Sequence, residues 1–171
     1  GIIFRSDDGS GGVTTYFKCK GDETVTQFVQ NTNHQDNAKA TFGTGLDLEI
    51  YHDTSNSYVT AKGTGDLIIQ NTTDDKDIIF QSDDGSGGAA EYFRVDGGDE
   101  NVLFSKILKL SDNVELRIGG GNDIKIYHDT SNSYIKTGTD GGNLIIEQNK
   151  DDADIIFKSD DGSGGVTEYF N

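Results

Sequence analysis

The chain repeats itself, and a long internal repeat restricts the fold more than any single motif does. The string IIFRSDDGSGGVTTYF at residues 2–17 returns as IIFQSDDGSGGAAEYF at 78–93 and as IIFKSDDGSGGVTEYF at 155–170. A second string, DLEIYHDTSNSY at 47–58, returns as DIKIYHDTSNSY at 123–134. Copies are offset by 76 residues, except that the last copy of the first string is offset by 77. The extra residue enters in the glycine-rich turn before Leu144. The organisation is therefore repeat 1 at 1–77, repeat 2 at 78–154 and the truncated start of a third at 155–171. The chain opens and closes inside one motif and reads as a window on a longer array.

Within a repeat, short runs of Ile, Val, Leu, Phe and Tyr alternate with clusters of Gly, Asp, Asn, Ser and Thr, which is the pattern of strands and turns. In LEIYH, Leu48 and Ile50 point to one face, and Glu49 and Tyr51 to the other, as a half-buried strand requires. LIIQ from Leu67 and IIF from Ile78 read as short strands of the same kind. FSKILKL, after Leu103, also reads as alternation. Helix is expected to be near absent. Proline does not occur at all, so every residue keeps its ladder donor.

Leu, Ile, Val and Phe together make only 41 of the 171 residues. That sits just above the composition at which chains stay disordered, so one thick core is not expected. Each short strand offers two or three apolar residues, which three chains wound about one axis would bury better than one chain alone. The fold class expected is all-β: an elongated repetitive fibre of short strands and Gly/Asp turns, in an intertwined trimeric β-prism or β-helix-like shaft. The alternative is a single-chain β-solenoid, which needs evenly spaced coils. The apolar starts at Asp47, Asp66 and Asp77, then Asp123, Asn143 and Asp154, are unevenly spaced. Hairpins or meanders are therefore preferred. The residues expected to be buried between chains are Ile2, Ile3, Phe4, Leu48, Ile50, Leu67, Ile68, Ile78, Ile79 and Phe80, with their equivalents one repeat on.

A net charge of −16 repels phosphate backbones and anionic lipid, so neither nucleic acid nor membrane insertion is expected. No apolar run is long enough to span a bilayer, and no basic start leads an apolar run as in a signal peptide. The single cysteine, Cys19, excludes an internal disulfide framework and reads as a small strand residue.

FGTGLDLEIYHDTSNSYV from Phe42, followed by GTGDLIIQN, resembles repeats in tail-fibre and virion structural proteins of marine phages of the cyanophage type. The repeated blocks cover well over half of the chain. The resemblance implies a virion tail or extracellular location and a homotrimeric shaft. It also implies partnership with other tail proteins, and a host glycan or receptor met through a tip that this chain does not include. No receptor-binding motif maps onto these positions. Two rivals are a bacterial surface adhesin or filament with calcium-stiffened repeats, and a tailspike-type enzyme that degrades polysaccharide.

The acidic glycine loop SDDGSGG is the strongest chemical feature. Asp7, Asp8, Asp83, Asp84, Asp160 and Asp161 are weak calcium candidates, since clustered oxygens suit that ion. The loop lacks the terminal Glu of an EF-hand, and GGGND at 119–123 is not a tandem calcium repeat. The preferred reading is a turn whose Asp side chains cap backbone amides, with no cofactor. His52 and His128, beside Asp53 and Asp129, have no second ligand at metal spacing. Three copies of one histidine meeting on a three-fold axis would make them weak axial-ion candidates; a packed or edge histidine leading into the Asp-Thr-Ser-Asn turn is preferred. His34 has no counterpart in repeat 2 and reads as surface. Glu91 and Glu168 suggest a glycosidase carboxylate pair, but Thr15 stands there in the first copy. A catalytic residue repeated along a shaft would need a whole pocket each time, so no enzyme and no catalytic residue are expected. The seven tyrosines read as cross-strand aromatic pairs rather than sugar platforms. Asn71-Thr72-Thr73 is a glycosylation sequon by pattern only.

Overall fold

A computed structural model describes residues 1–139 and 142–170. The glycine-rich turn expected to hold the extra residue of repeat 2 includes Asp140 and Gly141, which lie outside the described residues. The described chain contains no helix, and its fourteen strands form five antiparallel sheets of sequence neighbours. Two kinds of meander alternate. The first kind comprises β1 (Ile2–Asp7), β2 (Val13–Lys20) and β3 (Val25–Phe28). It recurs as β7 (Ile78–Asp83), β8 (Ala89–Asp96) and β9 (Asn101–Phe104), and in part as β13 (Phe157–Asp160) and β14 (Val166–Phe170). The second kind comprises β4 (Ala40–Phe42), β5 (Leu48–His52) and β6 (Ser57–Ala61). Its second copy is β10 (Leu116–Ile118), β11 (Ile124–His128) and β12 (Ser133–Thr137).

The chain divides into two units, Gly1–Asn71 and Thr72–Asn171. The first unit holds the β1–β2–β3 and β4–β5–β6 sheets, and the second holds the other three. Within either unit, no hydrophobic side chain among the described residues is buried between one sheet and another. Among the described residues every pairing is antiparallel between sequence neighbours, and none is the stacked parallel pairing of a single-chain solenoid.

Register follows side-chain pattern. In the first kind of sheet the centre is a ladder of three phenylalanines, Phe4 opposite Phe17 opposite Phe28, and again Phe80 opposite Phe93 opposite Phe104. Rings on the first two strands stack at 4.2 and 4.3 Å between centroids. Ile2, Cys19 and Thr26, or Ile78, Val95 and Val102, form the adjoining rung on the same face. A bulge falls immediately after Phe4, Phe80 and Phe157. It leaves Tyr16, Tyr92 and Tyr169 without a partner across the ladder. The extra residue is used: the carbonyls of Tyr16 and Tyr92 accept bonds from Val29 and Ser105, and their hydroxyls donate to the carbonyls of Asp7 and Asp83. The expectation that all tyrosines pair across strands therefore holds only for Tyr51 with Tyr58, at 4.9 Å, and Tyr127 with Tyr134, at 4.8 Å.

LEIYH behaves as its alternation requires, with Ile50 opposite Val59 and Ala40 on one face, and Tyr51 opposite Tyr58 on the other. Residues 67–70, expected as the strand LIIQ, form none, and neither do the equivalent residues 144–147. FSKILKL contributes only its start, because β9 ends at Phe104. A strand needs a neighbour to share its ladder, and these apolar runs have none among the described residues.

Turns repeat as closely as strands. Ten non-glycine residues have a left-handed backbone, and they fall into five repeat-related pairs, such as Asn37 with Asn113 and Thr54 with Thr130. Thr54 and Thr130, at φ of 84° and 80°, are β-branched residues in a costly conformation. What holds them there is the Asp cap described next.

Candidate functional site

Three local constructions recur, and the calcium and axial-ion candidates of the sequence fall within the first two. The SDDGSGG loop closes the first hairpin. Asp8 Oδ1 accepts from Ser10 N at 2.8 Å, Ser10 Oγ at 2.7 Å and Gly12 N at 3.0 Å, while Asp8 N donates to the Gly12 carbonyl. Asp84 and Asp161 repeat this set with Ser86 and Gly88, and with Ser163 and Gly165. Asp7 and Asp83 each accept from the glycine two residues on. The Ser10, Ser86 and Ser163 hydroxyls first, and the backbone amides next, hold the Asp8, Asp84 and Asp161 carboxyls below the usual carboxylate range. A Cβ on Gly88 would sit 2.6 Å from Asp84 Oδ2, so any larger residue there has to displace the capping carboxylate. The six calcium candidates thus lie in two-carboxylate turns, one in each copy. Among the described residues no three His, Cys, Asp or Glu side chains converge on one point.

The HDTSNSY turn closes the second hairpin. Asp53 Oδ1 accepts from Ser55 N and Asn56 N at 3.1 and 2.8 Å, and its Oδ2 accepts from Tyr58 Oη at 2.8 Å. Asp129 repeats all three bonds. The Asn56 and Asn132 amides, then the tyrosine hydroxyls, lower the Asp53 and Asp129 pKa; the carboxylates in turn raise those of Tyr58 and Tyr134. His52 and His128 end their strands, exposed, with Nδ1 at 3.1 and 3.2 Å from Ser57 and Ser133 Oγ. Each occupies the edge position leading into the turn, and its carbonyl ties down the preceding loop by accepting from Asn37 N or Asn113 N at 2.8 Å.

The third construction is a groove between that tied loop and the second kind of sheet. In the first unit it is lined by Thr32, His34, Ala40, Ile50, His52 and Val59 among others, and measures about 480 Å³. In the second unit the equivalent groove measures about 600 Å³, and Leu108, Leu110 and Leu116 stand where Thr32, His34 and Ala40 stood. The floor of Tyr, His, Ser and Tyr is the same in both.

The remaining candidates are accounted for locally. Glu91 accepts from Ser105 Oγ at 2.8 Å and pairs with Arg94 at 3.5 Å. Glu168 lies opposite Lys158, in the place taken by Thr15 opposite Arg5 in the first copy. His34 is exposed at the groove wall, and Cys19 is a free, exposed strand residue.

Two features escaped the sequence reading. Glu49, one of two buried side chains among the described residues, pairs with Lys39 at 2.8 Å and Lys62 at 2.6 Å, which hold its carboxyl below the usual range. In the next repeat the polarity reverses: Lys125 takes the place of Glu49, Glu115 that of Lys39, and the two pair at 3.3 Å. Aligning the copies residue by residue would have shown this compensated exchange. The other buried group, Asp96, accepts from Gly98 N and Asp99 N and pairs with Arg94 at 2.9 Å.

The largest anomaly is what is not covered. Among the described residues no hydrophobic side chain is buried. The chain leaves 14085 Å² accessible, whereas a folded monomer of its mass exposes about 8,200 Å². Of the ten residues expected in the core, Ile2, Ile3, Phe4, Ile50, Leu67, Ile68, Ile79 and Phe80 are exposed, and Leu48 and Ile78 half-buried, within the single chain. The apolar faces of the sheets, with the grooves beside them, are the candidate functional surface. Comparison with protein-family models, with curated proteins and with solved structures finds no match.

Proposed function

We propose that the chain is a shaft segment of a homotrimeric phage tail fibre, which projects a receptor-binding tip from the virion toward a host cell. One observation carries the reading: every three-stranded sheet has one apolar face, and among the described residues nothing buries any of them. Exposed apolar faces of this extent belong to interfaces. Three copies wound together would set the phenylalanine ladders against one another about an axis and leave the capped acidic turns in water. The unpaired apolar segments at 67–70 and 144–147 would find strand partners on neighbouring chains. The charge of −16 then keeps separate fibres apart and discourages edge pairing. On this reading the activity is mechanical. Length, stiffness and solubility do the work, with no catalytic residue and no cofactor.

Light scattering of the complete parent protein, with and without a calcium chelator, tests the reading. A trimeric mass that chelator leaves unchanged is the expected result. A monomer refutes the shaft, and an assembly that dissociates only in chelator transfers the case to a calcium-stiffened adhesin.

A further inference from the structure

We infer that the groove of the second unit is a contact between copies of this chain, and that its counterpart in the first unit is not. The inference rests on the homotrimeric reading above and says where along the chain the copies hold one another selectively. The two grooves share a backbone path and a floor, and both loops are anchored by the same bond from Asn37 or Asn113 to a histidine carbonyl. Only the walls differ. Leu108, Leu110, Val114 and Leu116 are 41 to 52% exposed where the first unit carries Thr32, His34, Ala38 and Ala40. Four large apolar side chains gathered on one wall are a patch that soluble surfaces avoid unless something covers it.

The occupant that fits is the same unit of another copy. The groove lining carries no Asp, Glu, Lys or Arg side chain, so a second copy of this chain can close on it without burying a charge from that lining. Leu116, Ile126 and Ile135 belong both to the groove and to the apolar face of the β10–β11–β12 sheet, so a chain that covers that face reaches the groove without a gap. The surface left open in excess of a compact monomer's, about 5,900 Å², greatly exceeds the roughly 800 Å² per partner that a stable interface buries. The phenylalanine ladders are the same in both units and cannot tell one from the other. The groove walls can, so like units pair with like.

Thiol accessibility tests this at equivalent positions. In the complete parent protein carrying Cys19→Ser, with any further cysteine likewise replaced by serine, single variants His34→Cys and Leu110→Cys are reacted with a maleimide, with mass followed by light scattering. In the assembled protein, the thiol introduced at 110 is expected to react at least about tenfold more slowly than the one at 34, and dilution to monomer is expected to abolish the difference. Equal reactivity at both sites in a protein of trimeric mass overturns the inference and leaves the shaft standing. A monomeric mass at all concentrations refutes the shaft and this contact with it. A second pair, Leu108→Thr and Thr32→Leu, decides if a cysteine disturbs folding. The first is expected to raise the concentration at which the assembly dissociates and the second to leave it unchanged or lower it; an identical response from both overturns the inference.

Discussion

Ile79 and Phe80 are neighbours on β7 that point to opposite faces, and in the single chain they are 49% and 39% exposed. Truncating each to alanine separates a lone sheet from one whose phenylalanine face is covered. In a lone sheet both changes forfeit about 1 kcal/mol of partial burial, and Phe80→Ala loses about 0.5–1.5 kcal/mol more with its stack on Phe93. If neighbouring chains cover that face, Phe80 is a core residue and its truncation costs about 3–5 kcal/mol per chain. Ile79, on the face shared with Arg94 and Leu103, stays near 1 kcal/mol. At roughly 2–4 °C per kcal/mol for a chain of this length, Tm should fall by about 6–20 °C for Phe80→Ala, and by about 2–4 °C for Ile79→Ala. Thermal unfolding followed by circular dichroism, repeated after dilution, measures both. Dilution should lower every Tm if folding and assembly are linked. A gap between the two variants no larger than the lost stack explains, with Tm independent of concentration, would refute the covered face.

Glu49→Lys should destabilise the β4–β5–β6 sheet by placing three cations together, and adding Lys39→Glu should recover much of the loss, as the reversed pair of repeat 2 implies. A double-mutant cycle on Tm checks this, and additive losses would defeat it. Asp84→Ala should free the Ser86 and Gly88 amides, seen as at least about tenfold faster hydrogen exchange at those two positions with the Phe80–Phe93 ladder still protected. Because Asp8, Asp53, Asp84, Asp129 and Asp161 are held below their ordinary pKa, their contribution is present above the unfolded value near 3.8 and is lost as pH falls through the folded values. Tyr58 and Tyr134, held above 10.0, contribute below that pH and lose it as pH rises through their folded values. Tm should therefore be level through the neutral range and drop below about pH 4; a drop that begins at pH 6 would refute the carboxylate account.

Much of this was legible in the sequence, because the governing interactions are local. Alternation in LEIYH dictates which side chains share a face of β5, and each Asp of the capped turns bonds donors two to four residues away. The Gly and Asn positions mark where the backbone must turn. The two repeats make each reading twice, so hairpins, turn positions and the absence of helix among the described residues follow from the residues alone. The bulge after Phe4 and Phe80 was not legible, because one extra residue in a ladder leaves no mark on the hydrophobic pattern. Nor was the failure of 67–70 to form a strand, since propensity describes a residue and a strand requires a partner. The grooves needed the structure as well: the divergence of residues 27–40 from 103–116 was visible, but only the tertiary fold laid those segments against the sheet beside His52 and His128. Sequence by itself determined the repeat, the strand faces and the caps, whose bonds close over a few residues. The tertiary structure decided that no apolar side chain among the described residues is buried, because burial depends on what arrives from a distance along the chain, and here too little does.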